Sequence, residues 1–442
     1  MAISGAAKQD YTIDTTGSSS TGRALAMVTM LFFIWGFLTS LNDILMPHLQ
    51  DIFSLNYFQT GFIQFAFFGS YCVFALPAGK VIELIGYKKT MVVGLVVMAV
   101  GAFLFVPAAA VPSYPLFLGA LIVLAAGITV LQVAANPYVS VLGPASTASS
   151  RLNLTQAFNS LGTTLAPFFG GYLILRGVDL SADKLKQLSA EALLAYHQHE
   201  ASTVKLPYIG IGLTLVLVAA AIAIFKLPRI QATQEFRPIG DTNNPMGSLW
   251  QHRNLVLGVI AIFVYVGAEV SIGSYLIKYF VQPDTGNLST ATAASYVAFY
   301  WGGAMLGRFI GAGVLQKVNS GTAVGFVSIV ACLLTVISIF SFGSLAVWSI
   351  LLVGLFNSIM FPSIFTLGIA GLGPLTGKGS GLLVMGIVGG ALIPLAEGKA
   401  ADMIGLHHAF IIPALCYIYI AYYGFIGSRP TGKQAALKPV SA

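Results

Sequence analysis

The chain is 442 residues long, 57% hydrophobic and only 8% charged, whereas a soluble domain carries about 25% charged residues. No soluble core absorbs that many apolar residues, so the composition selects a membrane protein that crosses the bilayer many times. The formal net charge of +7 is spread as single Lys and Arg residues at predicted helix ends, without basic clusters interleaved with aromatics. That pattern argues against a nucleic-acid partner and for charges that orient the chain in the bilayer.

The segment 1–23 is polar, is expected to be a disordered cytoplasmic N-terminus, and lacks the charged, apolar and small-residue blocks of a signal peptide. Hydropathy then predicts about twelve spans, at 24–49, 58–82, 89–107, 115–143, 151–175, 205–227, 254–281, 291–315, 320–341, 346–372, 379–400 and 407–427. Most connections are short. The two longer ones are a polar, amphipathic stretch at 176–204 and a mixed-charge stretch at 226–253. The second reads as a cytoplasmic linker (228–253) between a six-helix half at 24–227 and another at 254–427, with a cytoplasmic tail at 428–442. Lys88, Lys89, Arg151, the linker, Lys317, Lys378 and the tail basic residues fall on one side, while the loops near 50–57, 108–114 and 342–345 have no Lys or Arg. Both termini are therefore expected to be cytoplasmic.

The first span, LFFIWGFLTSLNDILMP (31–47), carries Asn42 and Asp43 in an otherwise apolar run. A carboxylate at membrane depth costs about 2.5–3.5 kcal/mol on insertion scales, so it normally faces a cavity or an ion path. Trp35, Thr39 and Asp43 share one helix face at spacing four. Asp43 is the candidate proton carrier or cation ligand; the alternatives are a buried ion pair or a position nearer the outer surface. At the end of the second span, Lys80 and Glu83 read either as interfacial charges or as part of a gate.

The fourth span aligns Gln132, Asn136 and Ser140 at spacing four, and the Asn136-Pro137 step predicts a local opening of the helix. The fifth, opening RLNLTQAFNSLGTTLAP, sets Asn153, Gln156, Ser160, Thr163 and Thr164 on one side, with Asn159 adjacent. Amides both donate and accept, which matches the alternating hydroxyls of a sugar. They also serve as ordinary glue between membrane helices. Glu269 in the seventh span is the second candidate cation-coupling acid, with Tyr265 one turn before it. Arg308 in the eighth span is expected near a helix end, as a snorkelling cation, a partner of Glu269 or a latch between the halves. Trp35, Tyr296, Tyr300, Trp301 and Phe361 can stack on a pyranose face, and Tyr300 and Asn357 complete the substrate-binding set.

Other chemistries find no support. There is no GxxxxGK[ST] phosphate loop, no nucleophile–base motif, and no metal-ligand spacing among the six histidines. No cofactor is expected, and an enzyme is disfavoured. Cys72, Cys332 and Cys416 all lie within apolar spans, which argues against disulfides. Weak internal symmetry pairs ANPYVSVLGP (135–144) with FPSIFTLGIAGLGP (361–374), as two related halves require.

The strings LNDILMP (41–47), FQTGFIQFAFFGSYCVFALPAG (58–79), LQVAANPYVSVLGP (131–144), RLNLTQAFNS (151–160) and FPSIFTLGIAGLGP together resemble the fucose/glucose/galactose branch of the major facilitator superfamily. The resemblance implies an all-α, twelve-helix fold and a monosaccharide–cation symporter of the bacterial inner membrane, working by alternating access as a monomer. It places the coupling acid on Asp43 and the amide near the sugar on Asn159. One departure stands out: the fucose–proton carriers have a fourth-span carboxylate where this chain has Gln132. H+ is the expected coupling ion, with Na+ the alternative. Glucose or galactose is the expected cargo, with fucose, mannose and N-acetylglucosamine as alternatives. An uncoupled facilitator or a sugar receptor is the reading of a different class.

Overall fold

A computed structural model describes residues 18–52, 57–110, 113–173, 189, 205–228 and 249–429. Within these helices, the side chains of 18–20, 39, 41–52, 57–61 and 167–173 lie outside the description. The predicted 176–204 connection (residue 189 apart), most of the 228–253 linker and most of the 428–442 tail also lie outside it. The first helix begins at Ser18, inside the segment expected to be disordered.

The described residues are all-helical, and in lipid this follows from backbone chemistry: each N–H and C=O must be satisfied within its own segment. Span one is Ser18–Ile52. Spans two and three form one assigned helix, Tyr57–Ala110, that folds back at Gly86, where φ is 77° and only glycine sits without strain. Spans four to nine are Tyr114–Val141, Ala148–Leu173, Lys205–Ile224, Arg253–Val281, Thr290–Val314 and Ser320–Phe340. Span ten is broken into Gly343–Asn357 and Met360–Ile369. Span eleven is broken into Thr376–Met385 and Gly389–Ile404 by a 3-10 turn at Gly386–Val388. Span twelve runs from Leu406–Ala409 through Ile411–Tyr422 into a π-helical turn, Tyr423–Gly427. The sequence-predicted spans and these helices agree to within a few residues at nearly every end.

Local chemistry sets several of these ends. Ser289 caps span eight by accepting from the Thr292 amide at 3.3 Å, and Asn319 caps span nine by accepting from Gly321 and Thr322 at 2.9 and 3.2 Å. Arg151 reaches back to the carbonyls of Val139, Ser140 and Pro144, satisfying the end of span four.

Large apolar side chains such as Leu206, Leu217, Ile224, Phe326 and Phe340 stand more than half exposed around the perimeter. In water that surface would be untenable; against lipid tails it is neutral, and the buried faces are instead built from small and polar residues. Spans seven and eleven show why. A Cβ on Gly389 would overlap the Phe263 carbonyl, and one on Gly267 would overlap Ile393, so the two backbones touch directly.

Replacing Gly389 with Ala is therefore expected to cost about 1–3 kcal/mol, read as a lower Tm of the detergent-solubilised protein. Gly313→Ala, with nothing within 4 Å of its Cβ position, is expected to leave Tm unchanged or slightly raised.

Candidate solute and cation site

The backbone of Asn42 and Asp43 lies in the first span, but their side chains fall outside the described residues. Trp35, two turns earlier, is buried against Phe32 with ring centroids 5.2 Å apart. Asn159 lies beside the same helix: its Nδ2 donates to the Phe32 carbonyl at 2.9 Å. This cross-link sits where Gly36 and Gly162 let spans one and five come into backbone contact.

The other amides of the first six spans form a second group. Gln132 donates through Nε2 to the Tyr71 hydroxyl of span two at 2.7 Å. Asn136 is fully buried; its Oδ1 faces Gln156 Nε2 at 3.5 Å and its own Nδ2 has no partner. The opening expected at Asn136-Pro137 is not observed: span four continues as helix through Pro137 to Val141. The missing proline N–H instead frees the Val133 carbonyl one turn back, and Ser380 of span eleven donates to it at 2.7 Å. Neighbouring spans use the freed acceptor, so the helix need not unwind to satisfy it.

Among the last six spans the polar groups converge on Glu269. Tyr265 donates its hydroxyl to Glu269 Oε1 at 2.8 Å, and Tyr300 donates to the Glu269 backbone carbonyl at 3.3 Å. Asn357 donates to the Tyr300 hydroxyl at 2.9 Å, leaving its own Oδ1 without a partner. Arg308 Nη2 lies 3.7 Å from Glu269 Oε1. The same guanidinium donates through Nη1 to Ser160 of span five, and through Nε to the Ser358 carbonyl at 3.3 Å. That carbonyl is free because Pro362, one turn on, has no N–H to give it. Rather than lying at a helix end, Arg308 is enclosed at the junction of spans five, seven, eight and ten.

Because Ser160 also donates to the Gln156 carbonyl at 3.0 Å, a nearly continuous polar belt crosses the molecule. It runs from Asn136 through Gln156, Ser160 and Arg308 to Glu269 and Tyr265. Between this belt and the lysine-bearing end, the two sets of six spans are closely joined. Ser149 meets Thr366 at 2.5 Å, Ser150 donates to the Ala312 carbonyl at 2.5 Å, and Asn153 Nδ2 lies 3.5 Å from Ser363. Gly381 lies against the Ala75 carbonyl, and Lys378 pairs with Glu83 at 3.0 Å. Lys80 is exposed at the same end.

The structure also brings in residues that the sequence reading passed over. Tyr71 is one of several aromatics in an apolar stretch of span two. Glu397, two residues before Lys399 and close to the end of its span, is fully buried against Ser271. A signal for it exists: Gly386, Gly389, Ile393 and Glu397 recur at spacings of three and four, which puts the carboxylate on the face that packs on span seven. Among the described residues, no group of three or more His, Cys, Asp or Glu side chains is placed to hold a metal ion.

Comparison with known proteins agrees with this architecture. The profile of the Major Facilitator Superfamily matches residues 25–394. A glucose/galactose transporter of Brucella abortus biovar 1 is 50% identical over 416 residues, covering 94% of this chain and 97% of that protein. The L-fucose-proton symporter of Escherichia coli K12 is 38% identical over 407 residues, 91% and 93% of the two chains. The crystal structure of the transporter FucP in the outward conformation superposes with a TM-score of 0.85 at 36% identity, covering 92% of this chain and 98% of that one. A multi-pass helical protein with these relatives belongs to the Major Facilitator Superfamily.

Proposed function

We propose that this protein is a secondary transporter that imports a monosaccharide, glucose or galactose by preference, together with a proton. The observation that carries the reading is the polar belt linking the two sets of spans through Arg308, deep in an otherwise apolar molecule. Within the belt, Asn136 Nδ2 and Asn357 Oδ1 have no protein partner, so one donor and one acceptor remain available to a polar solute. A solute rich in hydroxyls supplies such partners when the spans rearrange around it. The names borne by the bacterial relatives, glucose/galactose transporter and L-fucose-proton symporter, support the same substrate class and coupling ion.

The mechanism is alternating access. The basic end faces the cytoplasm of a bacterial inner membrane by the positive-inside rule, with both termini on that side. The contacts from Ser149–Thr366 to Lys378–Glu83 then form the inner seal, and solute enters from outside. Asp43 binds the proton: neutralising it removes the penalty for enclosing a carboxylate in a dry cavity. Trp35, Asn42, Gln132, Asn136, Gln156 and Asn159 on one side, and Tyr265, Tyr300 and Asn357 on the other, supply the sugar's partners. Gln132 carries no titratable proton, which leaves the coupling to Asp43 with Glu269 as the second acid, and Na+ as the competing ion.

Uptake into proteoliposomes, with proton and sodium gradients imposed separately over a panel of glucose, galactose, fucose, mannose and N-acetylglucosamine, tests this directly. Concentrative uptake driven by the proton gradient is expected. Sodium-dependent, pH-insensitive uptake overturns the proton version, and flux that never exceeds equilibrium overturns coupling altogether. Asp43→Asn is expected to abolish accumulation while retaining sugar exchange; undiminished accumulation rejects Asp43 as the coupling acid.

Arg308→Ala leaves Glu269 buried without its counter-charge and is expected to cost about 3–5 kcal/mol, seen as a lower Tm. The double variant Arg308→Met/Glu269→Gln is expected to recover much of that stability. Its uptake should stay below about a tenth of the native rate, the loss that a transport-specific interaction of about 1.4 kcal/mol implies.

A further inference from the structure

Glu397 is a second enclosed carboxyl group that the belt around Arg308 does not use. Its side chain is 0% exposed on span eleven. Oε2 accepts the Ser271 hydroxyl from span seven, and Oε1 has no hydrogen-bond partner.

The groups that surround it do not balance a negative charge. Span seven contributes Tyr275 near it, and Lys278 farther on, whose ammonium stands 5.9 Å over the Tyr275 ring. Span twelve brings Cys416 and Tyr417 within electrostatic reach and begins with His407 and His408. Tyr71 and Cys72 are the titratable groups of the span-two stretch that approaches span eleven; Tyr71 is occupied by Gln132 and Cys72 is exposed. On its own helix, Lys399 and Asp402 are exposed on other faces. Arg308 is engaged with Glu269, and among the described residues no Lys or Arg forms an ion pair with Glu397. An ionised carboxylate with one hydroxyl donor and no counter-charge is not sustainable in such a place; the group takes up a proton instead.

The span that carries Glu397 is irregular on the side of the contact. Span eleven is interrupted by the 3-10 turn at Gly386–Val388 and carries Pro394 one turn before the carboxyl. Tyr275 donates to the Pro394 carbonyl at 3.1 Å. Nearer that turn, Gly389 meets the Phe263 backbone and Gly267 receives the Ile393 side chain, which brings spans seven and eleven into close contact. We infer that Glu397 is a proton-binding site of this carrier. In the described conformation it is the neutral acid held by Ser271. When spans seven and eleven separate, water reaches it, the O–H bond breaks, the proton passes to water and a carboxylate remains. The inference rests on the transport reading given above.

The test is infrared difference spectroscopy on the full-length protein in liposomes, with and without sugar, combined with uptake and sugar counterflow. A protonated-carboxyl band at neutral pH that exchanges with deuterium, changes on adding sugar and is lost in Glu397→Gln is expected. That variant is expected to lose about tenfold in proton-driven accumulation, a loss of about 1.4 kcal/mol, while counterflow stays near native. Ser271→Ala, which keeps the carboxyl and removes its donor, is expected to move the pH profile of uptake and the band together, a change that a packing defect does not produce. A band that is absent, or present but unmoved by sugar and deuterium, overturns the proposal. So does native accumulation by Glu397→Gln. If the wild type itself fails to transport any sugar, the transport reading falls first, and the spectroscopic arm alone then judges whether the acid is neutral and exchangeable.

Discussion

The Arg308 guanidinium is the point through which the rest of the interior is organised. It touches a hydroxyl on span five, a carboxylate on span seven and a backbone carbonyl on span ten. A planar group with five donors satisfies all three at once, which an ammonium cannot. Every neighbour is fixed in turn: Ser160 to Gln156, Glu269 to Tyr265, Tyr300 to Asn357. The enclosed charge is tolerated because its opposite lies beside it and two of its N–H groups donate to oxygen.

Prolines supply part of that oxygen. Pro137 frees the Val133 carbonyl for Ser380, and Pro362 frees the Ser358 carbonyl for Arg308. Pro167 likewise leaves the Thr163 carbonyl to the Ser40 hydroxyl of span one, at 3.2 Å. In each case a residue normally regarded as a helix breaker acts as a device that points an acceptor sideways. The same sequence feature leaves span four continuous and coincides with a break in span ten, where Ser358 and Ile359 interrupt the helix.

Much of this was legible beforehand. Twelve spans, their approximate ends and the pairing of amides on one face of spans four and five follow from periodicity, because lipid imposes long apolar runs and polar residues within them are rare. The depth of Arg308 was not legible. The sequence offers Arg308 as a partner of Glu269 or a latch between the halves but sets it near a helix end, and only the folded arrangement shows spans five and ten closing over it. Glu397 escaped for a similar reason: Lys399 and Asp402 beside it suggest a wet helix end, although they lie on different faces from the carboxyl. The consequence of Pro137 was misjudged because a freed carbonyl can be claimed by a neighbouring helix, which is invisible in one dimension.

The bond from Ser380 to the Val133 carbonyl has one more implication. Its acceptor was never part of the helical ladder, so breaking it unravels nothing: span four keeps all its internal bonds, and a water molecule can occupy the vacated oxygen. Rupture of such a fastener is local and reversible, so spans four and eleven can part and rejoin with neither helix unwinding.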